Sequence, residues 1–92
     1  MQAGEGRNVV GSQIRTLRAQ KGLSQADMVA RCGVQGLELG QPAISQIENG
    51  TRGVSDLEMI LLARALRVEL AELVPDKLPK WEKDKRPPNA WD

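Results

Sequence analysis

The sequence predicts an all-α fold, a bundle of five short helices followed by an extended arm. Three observations predict it. Apolar residues recur at helical spacing rather than in alternation, and Ser, Gly and Pro stand where helices should start and stop. The apolar inventory is aliphatic, with no Phe or Tyr and with Trp81 and Trp91 both near the C-terminus. A chain of 92 residues, 40% of them apolar, has room for one modest core, which excludes a two-lobed enzyme with a cleft between domains.

Residues 1–8 read as a flexible N-terminus, 9–75 as the helical unit and 76–92 as the arm. In the first helix Val10, Ile14 and Leu17 form one apolar stripe, Gln13, Arg15 and Arg18 lie on the other face, and Gly22 supplies the stop. Ser24, with Asp27 three residues on, is an N-cap for a second helix whose stripe is Met28, Val29 and Cys32 and whose end is Gly33. The stretch GVQGLELG, residues 33–40, has three glycines and no helical period, so it reads as a loop that buries Leu37 or Leu39. Pro42 is tolerated in a first helical turn, so a third helix of about two turns starts there and runs to Asn49, with Gly50 as its stop. Ser55 and Glu58 form a second capping box, opening a fourth helix with Met59, Leu62, Ala63 and Leu66 inward. Leu57, Ile60 and Leu61 widen that stripe; a helix apolar over so much of its circumference is either central or has a partner on its second face. A fifth helix, about Glu69 to Val74, turns Leu70, Leu73 and Val74 inward and is closed by Pro75. The arm mixes proline with charge and has little to bury.

Composition removes several chemistries. Histidine is absent and Cys32 stands alone, which excludes His/Cys zinc sites, Ser/His/Asp catalysis and an internal disulfide. No metal or other cofactor is expected, and without paired catalytic carboxylates or a phosphate-cradling glycine loop the chain does not read as an enzyme. The longest apolar run, Met59 to Ala63, is far short of a membrane span, and no signal pattern opens the sequence, so the expected compartment is the cytoplasm. The net charge of +1 hides an uneven distribution: residues 7–53 carry three more bases than acids, residues 54–76 three more acids than bases. A polyanion would bind the first of these segments.

The third helix is the most informative element. At about 100° per residue, Gln41, Ser45, Asn49, Pro42 and Gln46 share one face, Ile44 and Ile47 occupy the other, and Glu48 falls on the flank. A strip of uncharged amide and hydroxyl groups can donate and accept along base edges in a major groove, and a Gln can bond N6 and N7 of adenine together. The alternative is that Gln41, Ser45 and Gln46 are simply polar surface.

The stretch IRTLRAQKGLSQADMVARCG, then AISQIENGTR, then LLARAL resembles the lambda-repressor-like, Cro-type helix-turn-helix family, also called the xenobiotic-response-element family. The resemblance covers about residues 10 to 74 and rests on LRxxxGLSQ and ISxIENG in order. It implies a double-stranded DNA-binding regulator of transcription, a repressor in the first instance, and no particular operator. It also implies roles for single residues. Gln25 would hold a DNA phosphate and brace the third helix, unless it is an ordinary first-turn glutamine. Gln41 and Gln46 match base-reading positions, Asn49 matches an asparagine that approaches the backbone or merely ends the helix, and Arg52 lies in a loop suited to a phosphate. Arg18 and Glu48 match a structural ion pair between the first and third helices.

The chain departs from the family in two places. Ile44 lies eleven positions after Gly33 where about six are usual, so the turn between the second and third helices is extended by QGLEL. The extra residues either change the approach angle of the third helix, reach the DNA backbone or a partner, or form a neutral loop. Pro42 replaces a side chain that often contacts DNA, which shifts readout to Gln41, Ser45 and Gln46. One eight-residue helix reads few base pairs, so a homodimer on a near-palindromic operator is expected, with Leu57, Leu61 and Leu70 at its interface unless all three are core. The rival reading is an antitoxin or adaptor whose arm folds onto a partner protein through Trp81 and Trp91, and the arm could equally be a disordered tail.

Overall fold

A computed structural model describes residues 6–77. Four α-helices, α1 (Gly11–Gln20), α2 (Gln25–Val34), α3 (Gln41–Asn49) and α4 (Asp56–Leu66), precede a 3-10 turn at Leu70–Leu73. Two starts are set by reciprocal capping. Ser24 Oγ accepts from the Asp27 amide at 3.0 Å while Asp27 Oδ2 accepts from the Ser24 amide at 2.8 Å. Ser55 and Glu58 repeat the arrangement at α4, at 3.0 Å in both directions. These bonds to backbone N–H groups hold the Asp27 and Glu58 carboxyls below their ordinary pKa values.

All four helices end on a residue in the left-handed region: Gly22 (φ 69°), Gly36 (φ 85°), Gly50 (φ 79°) and Arg67 (φ 58°). In each case the next residue donates back across the last turn, as Leu37 does to the Cys32 carbonyl at 2.9 Å and Thr51 to the Gln46 carbonyl at 2.9 Å. The second helix therefore does not stop at Gly33, which lies inside α2. Gly36 is the terminator because it is the glycine followed by an apolar residue, Leu37, that tucks back onto the core. The connection to α3 is six residues, 35–40, and both Leu37 and Leu39 pack against the core, where the sequence reading required only one of them.

Ile14 of α1, Met28 and Cys32 of α2, Ile44 and Ile47 of α3, Leu62 and Leu66 of α4 and Leu73 of the 3-10 turn are fully buried together. Burial raises the Cys32 thiol pKa above its ordinary value, so the thiol is a core group. The expected fifth helix is instead a single 3-10 turn. Glu69 and Val74 flank it in extended conformation, and Pro75 disfavours helical dihedrals at Val74. A turn that short has one inward position, Leu73; Leu70 and Val74, expected inward, are 41% and 48% exposed. Among the described residues no helix is long and apolar enough to cross a membrane. Trp81 and Trp91, with nearly all of the arm, lie outside the described residues.

Candidate nucleic-acid interface

Helix α3 is held from behind and open in front. Ile44 and Ile47 are 1% exposed and pack into the core, whereas Gln41, Pro42, Gln46 and Asn49 are exposed and Ser45 is half-buried. Pro42 falls in the first turn, where a missing N–H costs no hydrogen bond, and the helix begins one residue earlier than the sequence indicates, at Gln41. The amide-bearing side chains thus share one outward surface of a helix whose opposite surface is fixed by two isoleucines.

A polar network ties this helix to α1 and α2. Arg18 Nε donates to Glu48 Oε2 at 2.6 Å and Nη2 to Glu48 Oε1 at 3.1 Å, a two-pronged pairing. A third donor of the same guanidinium, Nη1, reaches the Leu23 carbonyl at 2.7 Å. Its hydrogen bond to Glu48 raises the Arg18 pKa above the ordinary arginine value, against an opposing effect of burial. Glu48 is buried, 6% exposed, rather than flanking the helix as the wheel suggests. Its Oε1 also accepts from Gln25 Nε2 at 3.2 Å, and Gln25 Oε1 accepts from Gln41 Nε2 at 3.4 Å. The buried ion pair therefore orients Gln25, and Gln25 orients Gln41. This leaves Gln41 with its carbonyl oxygen and a second N–H for an external partner.

Arg52 is engaged within the chain. Its Nη2 lies 3.2 Å from Glu58 Oε2, its Nη1 3.5 Å from Glu58 Oε1, and Nη1 also donates to the Gly53 carbonyl at 3.2 Å. Glu58 thus serves both the α4 cap and Arg52, a second role that the capping signal alone does not reveal. Asn49 is exposed at the last position of α3, next to Gly50.

Sequence reasoning missed Asn8, placed in the flexible N-terminus. Its side-chain amide spans from the start of α1 to the end of α3, donating to the Ile47 and Arg52 carbonyls at 3.1 and 2.8 Å. An Asn just ahead of an apolar helical stripe is a capping signal, but nothing local announces bonds to residues 39 and 44 positions away. Leu57 and Leu70 of the expected dimer face are 60% and 41% exposed and Leu61 is half-buried. Ile60, 39% exposed, joins Leu57 and Leu61 at i, i+3, i+4 spacing on α4.

The comparisons with known proteins agree with this geometry. The sequence profile of the helix-turn-helix family matches residues 14–73. The chain is 38% identical over 68 residues to y4dJ, an uncharacterized HTH-type transcriptional regulator of Sinorhizobium fredii, covering 74% of this chain and 82% of that one. The structure is similar to that of the restriction-modification controller protein C.AhdI from Aeromonas hydrophila, with a TM-score of 0.61, 36% identity, and coverage of 70% of this chain and 89% of the other. It is also similar to the hypothetical transcription factor NHTF from Neisseria, with a TM-score of 0.65 and 26% identity over 92% of this chain and 88% of the other. The chain belongs to the Cro-type helix-turn-helix family of DNA-binding domains.

Proposed function

We propose that the protein is a transcriptional repressor that binds a near-palindromic operator as a two-fold homodimer, with α3 in the major groove and α2 across the backbone. The observation that carries this reading is the division of α3, where Gln41 and Gln46 are exposed while Ile44 and Ile47 are buried. Gln41, Ser45 and Gln46 contact base edges, and Gln25, Asn49 and Arg52 contact phosphates. Arg52 reaches a phosphate by exchanging its bonds to Glu58 for bonds to the DNA. Repression by occupancy needs no surface beyond this interface and the dimer contact. The regulators and transcription factor among the similar proteins support the general role.

Leu57, Ile60, Leu61 and Leu70 supply an apolar surface for the second subunit, and two copies related by a two-fold axis place their recognition helices on half-sites about 34 Å apart or a multiple of that. The test is selection of bound duplexes from a random pool, followed by titration of the Gln46→Ala variant. We expect the variant to lose about 1–3 kcal/mol on the selected duplex and little on random DNA. Equal loss on both would show that Gln46 reads no base.

A further inference from the structure

Asn8 joins the beginning of α1 to the end of α3 through one side chain. Its Oδ1 accepts from the Val10 amide at 3.0 Å and the Gly11 amide at 2.7 Å, and its Nδ2 donates to the Ile47 carbonyl at 3.1 Å and the Arg52 carbonyl at 2.8 Å. An asparagine amide has two N–H groups and two lone pairs, so its capacity is filled. Turning the amide over would set N–H against N–H and oxygen against two carbonyls, so its orientation is fixed by its partners. The Arg7 amide adds another link, to the Gly50 carbonyl at 2.7 Å. The contact beneath is close: a Cβ on Gly11 would lie 1.9 Å from the Ile47 carbonyl oxygen, so only glycine lets α1 approach α3 this way.

The geometry points to Asn8 as a positioning residue for base readout: its four-way clamp, seated over Gly11, fixes the C-terminal end of α3 and so the pitch of the face that carries Gln46 and Asn49. This rests on the reading of α3 as the recognition helix. The two ends of that helix are held unequally. At the N-terminal end the side-chain link is one long bond at the surface, Gln41 to Gln25 at 3.4 Å. At the C-terminal end the Arg18–Glu48 pair holds the penultimate residue, and Asn8 takes carbonyls on both sides of Gly50, the residue that closes the helix. Hydrogen bonds to base edges tolerate only a few tenths of an ångström, whereas flexible side chains follow a displaced phosphate. Loosening the clamp therefore removes sequence preference before it removes DNA affinity.

Two variants of the full chain test this. Asn8→Ser keeps an oxygen acceptor for the first turn of α1 but is too short to reach the two carbonyls. Asn8→Asp keeps the acceptor and turns a carboxylate oxygen toward them. The first measurement uses no DNA: amide hydrogen exchange at Gly50, Thr51 and Arg52 should quicken by roughly tenfold relative to amides in α2, more in Asn8→Asp than in Asn8→Ser. The second compares a pool-selected duplex with its scrambled counterpart. Affinity for the selected duplex should fall about tenfold while that for the scrambled one stays the same.

Unchanged exchange in the variants overturns the clamp. Faster exchange with equal losses on both duplexes, or with no loss, overturns the positioning role and leaves Asn8 a structural cap. A wild-type chain that shows no preference between the duplexes overturns the reading of α3, and the positioning role with it, whereas the exchange result stands apart from that failure. Asn8→Ser, the milder change, decides the matter if Asn8→Asp does not fold.

Discussion

Two arginine–glutamate pairs in this chain use the same forked chemistry at different depths. Arg18 and Glu48 meet at 2.6 Å with side chains 15% and 2% exposed; Arg52 and Glu58 meet at 3.2 Å with side chains 31% and 21% exposed. The first pair has every prong occupied inside the protein, by Glu48, the Leu23 carbonyl and, on the acid, Gln25. The second is held near the surface, where water weakens the attraction and leaves the guanidinium accessible to an external anion. Burial rather than pairing geometry separates an arginine committed to the fold from the one to which the proposed function assigns a phosphate.

The largest expected effect comes from breaking the deeper pair. Arg18→Leu leaves the Glu48 carboxylate buried without its cation, and we expect a loss of about 3 kcal/mol in urea unfolding at neutral pH. Replacing both residues by leucine should recover much of that loss, because the cost lies in the stranded charge. A loss under about 1 kcal/mol for Arg18→Leu would place the pair in the class of exposed salt bridges, and the contrast between the two pairs would fail.

An intermediate effect comes from releasing Arg52. Glu58→Gln preserves the capping box, since glutamine serves at that position, but removes the charge that competes with phosphate. Non-specific DNA affinity should rise, and the salt dependence of binding should steepen by about one phosphate contact; Arg52→Ala should lower affinity and flatten the dependence by a similar step. Titrations at several salt concentrations read both changes. Unchanged binding in Glu58→Gln would mean that the pair stays closed on DNA and Arg52 does not reach a phosphate.

Why one pair was legible in the sequence and the other was not follows from spacing. Arg18 and Glu48 stand 30 residues apart, and only the family resemblance placed them together; helical periodicity put Glu48 on a flank. Arg52 and Glu58 stand six apart, but the capping box by itself accounts for Glu58, and a residue with one role gives no sign of a second. The helices themselves were readable because stripes and caps are local. The end of α2 was misplaced because three glycines in eight residues all signal a stop, and only contact of the following leucine with the core selects Gly36. The end of α4 carries no glycine at all, since Arg67 takes the left-handed conformation that the other three helices give to glycine. The last helix was overestimated because its leucines look periodic although Pro75 leaves them too few residues. Asn8 escaped because its partners are distant in sequence.

The smallest expected effect is on pH dependence, and it separates the two influences on Glu58. Its carboxyl is held below the ordinary glutamate range chiefly by the Ser55 backbone N–H and secondly by Arg52. A carboxyl with a lowered folded-state pKa adds stability that is complete above its unfolded pKa and is lost as pH falls through the folded value. Wild type and Glu58→Gln should therefore differ most at neutral pH, by less than about 1 kcal/mol, and converge in acid. Arg52→Gln is the sharper probe. Because the Ser55 N–H is the larger cause, the Glu58 carboxyl should stay below its ordinary range in that variant when followed by carboxyl NMR titration. A return to the ordinary range would make Arg52 the principal cause, and this surface pair would then resemble the buried one more than its exposure implies.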